Sequence, residues 1–350
     1  MRAILLSLND VISWVVGRGG LLGGSVERAL AARGPTWHPP REFTWDCPPV
    51  LDHELTTACQ AFAAEVGRSS WQIAWCAGAG VVGSESSDLD QETTAFTHLL
   101  TSVAEVLCRR GRSSGAMFFA SSAGGVYAGV GNPPFDEDSP VAPIAPYGWN
   151  KLAQESLARS WSSETATPLL VGRLSNLYGP AQNLSKDQGL ITQVCLRALA
   201  RQPLNLYVPL DTIRDYLFAE DAGRLIADGL FRLRLEAAEA ETAPAVVKVL
   251  ASLRPTTVAT VLAQFRWIMK RPVNVMIASS PNARRQVRDL RMASHVWPEL
   301  DRRPTTTLSA GMQSVINSIL DEAGRGRIGA HAVLWNVDQN RSDGLTGHAQ

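Results

Sequence analysis

Short apolar runs rich in β-branched residues alternate, along the first half of the chain, with longer stretches in which apolar positions recur every three or four residues. VISWVV at Val11 to Val16 reads as a buried strand, and a helix of about ten residues ending at Gly34 follows. Leu51 to Val66 has Leu55, Ala58, Cys59 and Phe62 on one helical face. WQIAWCAGAGVVG, from Trp71 to Gly83, is an apolar strand running into small residues, and Glu92 to Arg110 is a long helix burying Phe96, Leu99, Leu100, Val103, Val106 and Leu107. A strand at Ala116 to Ala120, a helix at Tyr147 to Trp161 and a strand within PLLVGRLSNLYGP continue the alternation. The pattern predicts an α/β fold with a Rossmann-type, doubly wound parallel sheet.

After Pro180 the pattern loosens. A helix in QGLITQVCLRALARQPL, a short strand and helix within NLYVPLDTIRDYLFAEDAGRLIADGLF, a strand at Ala245 to Ala251, a helix at Thr256 to Met269, a strand in VNVMIAS and a helix at Thr307 to Glu322 predict a smaller C-terminal α/β region. The expected organisation is a nucleotide-binding domain over residues 1–180 and a substrate-binding region over 181–322, with 210–230 returning to the first domain. Residues 323–350, rich in Gly, Asn, Asp and Arg, are expected to form a poorly ordered tail.

Composition narrows the function. The 350 residues carry no net charge and are 45% hydrophobic, so no basic excess draws the chain to nucleic acid or an anionic membrane. Five scattered cysteines read as reduced thiols of a cytoplasmic protein, and six histidines show no ligand spacing, so no metal is expected. The apolar start is interrupted by Asn9 and Asp10; it reads as an extension leading into the first strand, and no segment is long enough to span a membrane.

Gly17, Gly20 and Gly23 fall at GxxGxxG spacing between the first strand and its helix. The turn Gly17, Arg18, Gly19, Gly20, Leu21, Leu22, Gly23 lets backbone N–H groups and a helix N-terminus face a pyrophosphate. Ala77, Gly78 and Ala79 would let a dinucleotide lie across a strand end, and Asp46 is a candidate for the adenine edge. No acid ends the second strand, where a ribose diol is ordinarily held. Arg18, Arg33 and Arg41 would suit a 2′-phosphate instead, and the cofactor is read as NAD or NADP.

The chemistry concentrates between Phe118 and Lys151. Ser121 and Ser122 end an apolar run, and Tyr147 is followed by Lys151 at i+4, on the same helical face. A phenol titrates near pH 10 in water, so acid/base work at neutral pH needs a nearby cation, which Lys151 supplies. A serine hydroxyl can hold the substrate oxygen whose proton Tyr147 moves.

With these residues in view, the chain resembles the extended short-chain dehydrogenase/reductase family, in the NAD-dependent epimerase/dehydratase branch that includes UDP-glucose 4-epimerase. Six segments occur in family order over residues 12–320: VVGRGGLLG, AWCAGAG, SSAGGVYAG, YGWNK, GRLSNLYGP and IRDYLFAED. The resemblance implies that Tyr147 is the acid/base, that Lys151 holds the nicotinamide ribose, and that Ser122 or Ser121 binds the reacting sugar oxygen. Counted back from Val126 and Tyr127, the family's hydroxyl residue falls on Ala123, which is therefore also a substrate contact. Asn176 would touch the phosphates of a nucleotide-sugar and Arg214 would pair with its diphosphate, unless Arg214 is spent on Asp215 or Asp221. The family's dehydratases carry an Asp and a Glu after the hydroxyl residue; here stand Ala123, Gly124 and Gly125, which disfavours elimination. The expected activity is a nucleotide-sugar epimerase, most simply at C4, with an NADP-dependent keto-sugar or carbonyl reductase as the alternative. A non-catalytic dinucleotide sensor is disfavoured by the presence of both Tyr147 and Lys151. The long helices could pair in a homodimer.

Overall fold

The computed structural model describes residues 11–81, 83–84, 86–108, 115–184, 188–278 and 287–326. The chain begins with β1 (Val11–Val16), α1 (Leu21–Ala31), β2 (Thr36–Trp37), α2 (Pro48–Val66), β3 (Ser70–Trp75) and α3 (Ser86–Val103), which runs on through a wider turn at Ala104–Cys108. There follow β4 (Gly115–Ser122), the single turn α4 (Ala123–Val126), α5 (Pro146–Thr165), β5 (Leu169–Leu174), β6 (Asn176–Tyr178), α6 (Leu190–Leu199) and β7 (Leu204–Leu206). The remainder is β8 (Ile213–Phe218), α7 (Ala219–Glu239), β9 (Ala245–Leu250), β10 (Pro255–Thr257), α8 (Val258–Met269), β11 (Val275–Ile277), α9 (Pro298–Asp301) and α10 (Leu308–Gly324).

Six strands form a parallel sheet in the order β2-β1-β3-β4-β5-β9. Its inner strands are apolar at nearly every position because helices cover both faces. Side chains alternate between the faces, so Trp14, Ile73, Met117 and Phe119 pack under α2, α3 and α5, while Val15, Ala74, Ala116 and Phe118 pack under α1 and α7. Each fully buried large side chain contributes about 1.5–3 kcal/mol relative to exposure, and Phe118 and Phe119, adjacent in sequence, stabilise opposite layers.

Beyond this sheet lies a smaller region. β10, β8 and β6 form a three-stranded sheet and β11 pairs with β7. α6, α8 and α10 close over them around Tyr178, Val194, Phe218, Phe265 and Met312. The return to the main sheet is wider than residues 210–230. α7 packs on α1 and β9 pairs with β5, because Ala222, Ile226 and Leu230 complete the apolar layer beneath the sheet. The last helix reaches Gly324 and buries Ala323, so these residues do not belong to the tail expected over 323–350, and residues 327–350 lie outside the described residues. No helix among the described residues is long and apolar enough to cross a membrane.

Candidate active site

The turn after β1 requires glycine. Gly17 has φ +88°, and a Cβ there would stand 2.6 Å from the Ala77 nitrogen. A Cβ at Gly23 would stand 2.1 Å from the Gly17 carbonyl oxygen, so α1 is held against the turn by bare backbone. No acidic residue occupies the first turn of α1, whose N-terminal N–H groups and dipole favour an anion. A cavity of about 570 Å³ opens beside this turn, lined by Gly17, Gly20 and Ala77 to Gly80, with Trp45, Pro48, Leu51 and Trp75 at an apolar side. Backbone donors beside an apolar slot fit a dinucleotide, and Gly17, Gly20, Ala77, Gly78 and Ala79 are brought together there.

Other expected contacts fall elsewhere. Leu21 and Leu22 begin α1, partly buried, while Arg18 and Gly19 are exposed. Asp46 is exposed and does not line the cavity; its neighbour Trp45 does. Arg33 pairs with Asp228, which a second arginine, Arg303, also reaches. His38, just after β2, takes up Glu27 at 3.0 Å. Among the described residues, the charged ones lining the cavity are the acids Asp52, Asp88, Asp90 and Glu92.

The second cluster gathers at the carboxyl ends of β4 and β5. Pro146 opens α5 at a position where its missing N–H costs nothing, which places Tyr147 in the first turn and Lys151 one turn on. A Cβ at Gly148 would meet the Gly125 carbonyl oxygen at 2.2 Å, and one at Gly125 would meet the Tyr147 ring at 3.1 Å. These two glycines seat the phenol ring on the α4 turn. Ser122 caps α4 by accepting from the Gly125 N–H at 3.1 Å, and its hydroxyl lies near enough to the Tyr147 phenol to influence its ionisation. Lys151 is buried; its Nζ donates to Gln154 Oε1 at 3.1 Å and lies 5.8 Å from the Tyr147 ring centroid.

The electrostatics differ from the simple expectation that Lys151 lowers the phenol. Burial pushes Tyr147 above its ordinary value, the Ser122 hydroxyl pulls it down, and the Glu92 carboxylate pushes it up again. Burial lowers Lys151, against the opposing pull of Glu92, Glu155 and Cys76.

Ser121 does not join Tyr147. Strand alternation turns it toward α5, as it does Met117 and Phe119, and its hydroxyl donates to Glu155 Oε1 at 2.5 Å. The β4–β5 register sets Ser121 beside Arg173, whose Nε and Nη2 grip the same carboxylate at 3.0 and 2.8 Å. Arg173 Nη1 also donates to the Tyr127 hydroxyl at 2.8 Å, and that hydroxyl donates to the Asp136 carbonyl. Ala123 is fully buried, packed with Tyr127, Phe135 and Val249. Glu155, Glu92, Gly148 and Trp45 are site residues that the sequence reading missed. Glu155 was visible in principle, at i+4 from Lys151 and i+8 from Tyr147 on one helical face.

Asn176 and Arg214 meet in a separate cavity of about 580 Å³, with Gln193, Arg197, Tyr207 and Tyr216. β6 pairs with β8 so that Asn176 stands opposite Tyr216, two residues from Arg214. Neither suspected acid claims Arg214. Asp215 is held by Ser175 at 2.7 Å, by the Ser252 and Arg254 N–H groups and by the Ser252 hydroxyl, and Asp221 is held by Arg224 and Thr306. Arg214 Nη1 donates to the Ile213 carbonyl at 2.8 Å, and burial lowers the guanidinium.

The family model of the NAD dependent epimerase/dehydratase family matches residues 14–273. A dTDP-glucose 4,6-dehydratase from Neisseria gonorrhoeae is 40% identical over 92 residues, 26% of each chain. A dTDP-L-rhamnose 4-epimerase from Burkholderia thailandensis is 36% identical over 91 residues, covering 26% of this chain and 25% of that protein. The chain thus spans about a quarter of the length of the curated relatives it matches. Among solved structures, a UDP-glucose 4-epimerase from Thermus thermophilus in complex with NAD is similar with a TM-score of 0.67 at 18% identity, covering 88% of this chain and 98% of that one. RMD from Pseudomonas aeruginosa complexed with NADPH gives 0.67 at 20% identity, with the same coverage.

Proposed function

The chain belongs to the NAD dependent epimerase/dehydratase family, and we propose that it is a nucleotide-sugar epimerase inverting one sugar carbon, C4 in the preferred reading. When bound in the glycine-lined cavity, NAD or NADP supplies a hydride acceptor that later returns the hydride. The protein's own residues do the rest. Ser122 holds the reacting hydroxyl, and Tyr147 takes its proton as the carbon is oxidised and gives it back when the ketone is reduced on its other face. Lys151, buried beside the phenol ring, holds the nicotinamide ribose. Asn176 and Arg214 hold the diphosphate in the second cavity, a task suited to a planar guanidinium.

One observation carries the choice of epimerase over dehydratase. The residues that follow Ser122 are the buried Ala123 and then Gly124 and Gly125, so the turn beneath the substrate offers no carboxylic acid to expel water. The NADP-dependent reductase alternative drew support from arginines near the glycine turn, and with Arg33 on Asp228 it keeps only Arg18 and Arg41. Incubation with UDP-, GDP- and dTDP-sugars, with and without NAD or NADP, followed by product analysis, tests the proposal. Interconversion of two epimers without net cofactor turnover is expected. Stoichiometric NADPH consumption with a ketone, or release of a 4-keto-6-deoxy product, would overturn it.

A further inference from the structure

Two polar side chains interrupt the apolar layer beneath α1 and α7 at the amino ends of β1 and β3. Ser13 and Gln72 stand opposite one another in the register of the two strands, both buried, in the layer that Val15 and Ala74 continue. Gln72 Nε2 donates to Ser13 Oγ at 2.8 Å, which leaves the Ser13 hydroxyl its own proton to give, with no acceptor for it among the described residues. Arg234, from α7, lines a small cavity with these two. It is only 8% exposed; its Nη1 donates to the Trp71 carbonyl at 3.0 Å, while its Nε is shut from solvent and has no hydrogen-bond partner. Burial pulls the guanidinium down to about 10, so it is still charged at neutral pH, and no carboxylate among the described residues pairs with it. The neighbouring charges spare none. Arg33, which lines the same cavity, pairs with Asp228, and Asp228 is shared with Arg303. A buried cation left in this way is strongly unfavourable unless something compensates it.

We propose that this cavity is a binding site for a small monovalent anion of the size of chloride, held by the Arg234 guanidinium and the Ser13 hydroxyl. The cavity has a volume of about 40 Å³, above the roughly 10–15 Å³ that one water needs. It is far below the 570 and 580 Å³ of the two nucleotide cavities, so a monatomic ion fits and a nucleotide does not. A water would meet the free donors and leave the charge uncompensated, whereas an anion does both. The bound ion joins α7 to β1 and β3 at the end of the strands opposite to that of Ser122 and Tyr147. It therefore acts on stability and not on turnover.

Chloride NMR line broadening, titrated on the full chain in gluconate buffer of constant ionic strength, tests this without substrate or cofactor. The parent protein should broaden the signal saturably. Arg234→Met, which keeps the apolar stem and removes the charge, should lose the saturable part, while Arg214→Ala, in the second nucleotide cavity, should keep it. No saturable broadening in the parent, broadening unchanged in Arg234→Met, or broadening abolished by Arg214→Ala would each overturn the proposal. If circular dichroism shows that Arg234→Met does not fold, Ser13→Ala reads the same site. It should weaken chloride binding about 10- to 100-fold, the loss of one hydrogen bond to a charged group, and an unchanged affinity sinks the idea. Thermal melting gives an independent reading, because an ion that binds the folded state raises its stability. Replacing gluconate by chloride should raise the melting temperature of the parent and leave Arg234→Met unmoved; equal shifts in the two would count against the site.

Discussion

Two cavities of nearly equal size, about 570 and 580 Å³, differ in how they are built and in charge. The dinucleotide cavity presents backbone at Gly17, Gly20 and Ala77 to Gly80, and the charged side chains that line it, among the described residues, are acidic. The second cavity is gathered from β6, α6, β7, β8 and the start of α8, acts through side chains, and its charged residues, among those described, are Arg197 and Arg214. The contrast suggests a division of labour. Phosphates of the dinucleotide rest on N–H groups and a helix dipole, which tolerate acids nearby, while a substrate diphosphate is met by guanidinium groups. Tyr147, Ser122 and Lys151 belong to neither lining and stand at the strand ends of the main sheet.

The comparison predicts distinct failures. The largest belongs to the residue outside both linings: Tyr147→Phe should lower kcat by about 10²–10⁴-fold, the usual range for a lost general acid/base. Cofactor affinity, read by calorimetry, should be unchanged. A variant that turns over at the parent rate would remove Tyr147 from the chemistry and revive the sensor reading. Next is the second cavity. Arg214→Ala should raise KM for the nucleotide-sugar about 10- to 100-fold, the equivalent of a charge-assisted hydrogen bond of ~1.5–3 kcal/mol, with NAD affinity untouched. Arg214→Lys should recover only part, because an ammonium lacks the planar fork. Equal losses for both ligands would mean that the cavities are not separate.

The two serines sharpen the division within one strand. Ser122→Ala removes the hydroxyl assigned to the substrate oxygen and should lower kcat about 2- to 13-fold, the equivalent of one neutral hydrogen bond of ~0.5–1.5 kcal/mol. Ser121→Ala should leave kcat near the parent value and instead lower stability by about 1–3 kcal/mol, because Glu155 loses a buried donor. Thermal melting and steady-state rates measured on both variants separate the roles. If Ser121→Ala abolishes turnover while the protein remains folded, the assignment of the pair is reversed.

What could be read from the sequence follows the same divide. The glycine turn, the small-residue strand end and the Tyr147–Lys151 spacing are local patterns with local geometry, so periodicity and spacing located them. The Ser121–Ser122 choice needed the side-chain parity of β4 relative to α5, which only the register with β5 fixes. Arg173 and Glu155 are eighteen residues apart, and their pairing depends on a helix crossing two strands. Glu92 carries no local signal, since its role comes from a loop twelve and thirteen residues earlier in the chain. Asp46 failed for a related reason: a two-residue β2 leads into an irregular stretch that turns Trp45, rather than Asp46, toward the cavity.

Trp45 provides the smallest and most local test. It is 44% exposed, yet its ring is held edge-on by Phe43 at 5.6 Å and Trp75 at 6.3 Å, beside Pro48 and Leu51. A large apolar ring left this accessible at a cavity mouth is placed to cover a flat base, and an aromatic contact of this kind is worth about 0.5–1.5 kcal/mol beyond its buried area. Trp45→Ala should therefore weaken NAD binding by about 3- to 10-fold, while Trp45→Phe restores most of it. The nucleotide-sugar KM should not move, since Trp45 takes no part in the arginine-lined cavity. Calorimetric titration with NAD and, separately, with adenosine diphosphate locates the effect. Equal weakening for both ligands places Trp45 against the adenosine half, whereas loss for NAD alone would put the apolar slot under the nicotinamide and reverse the orientation of the dinucleotide in its cavity.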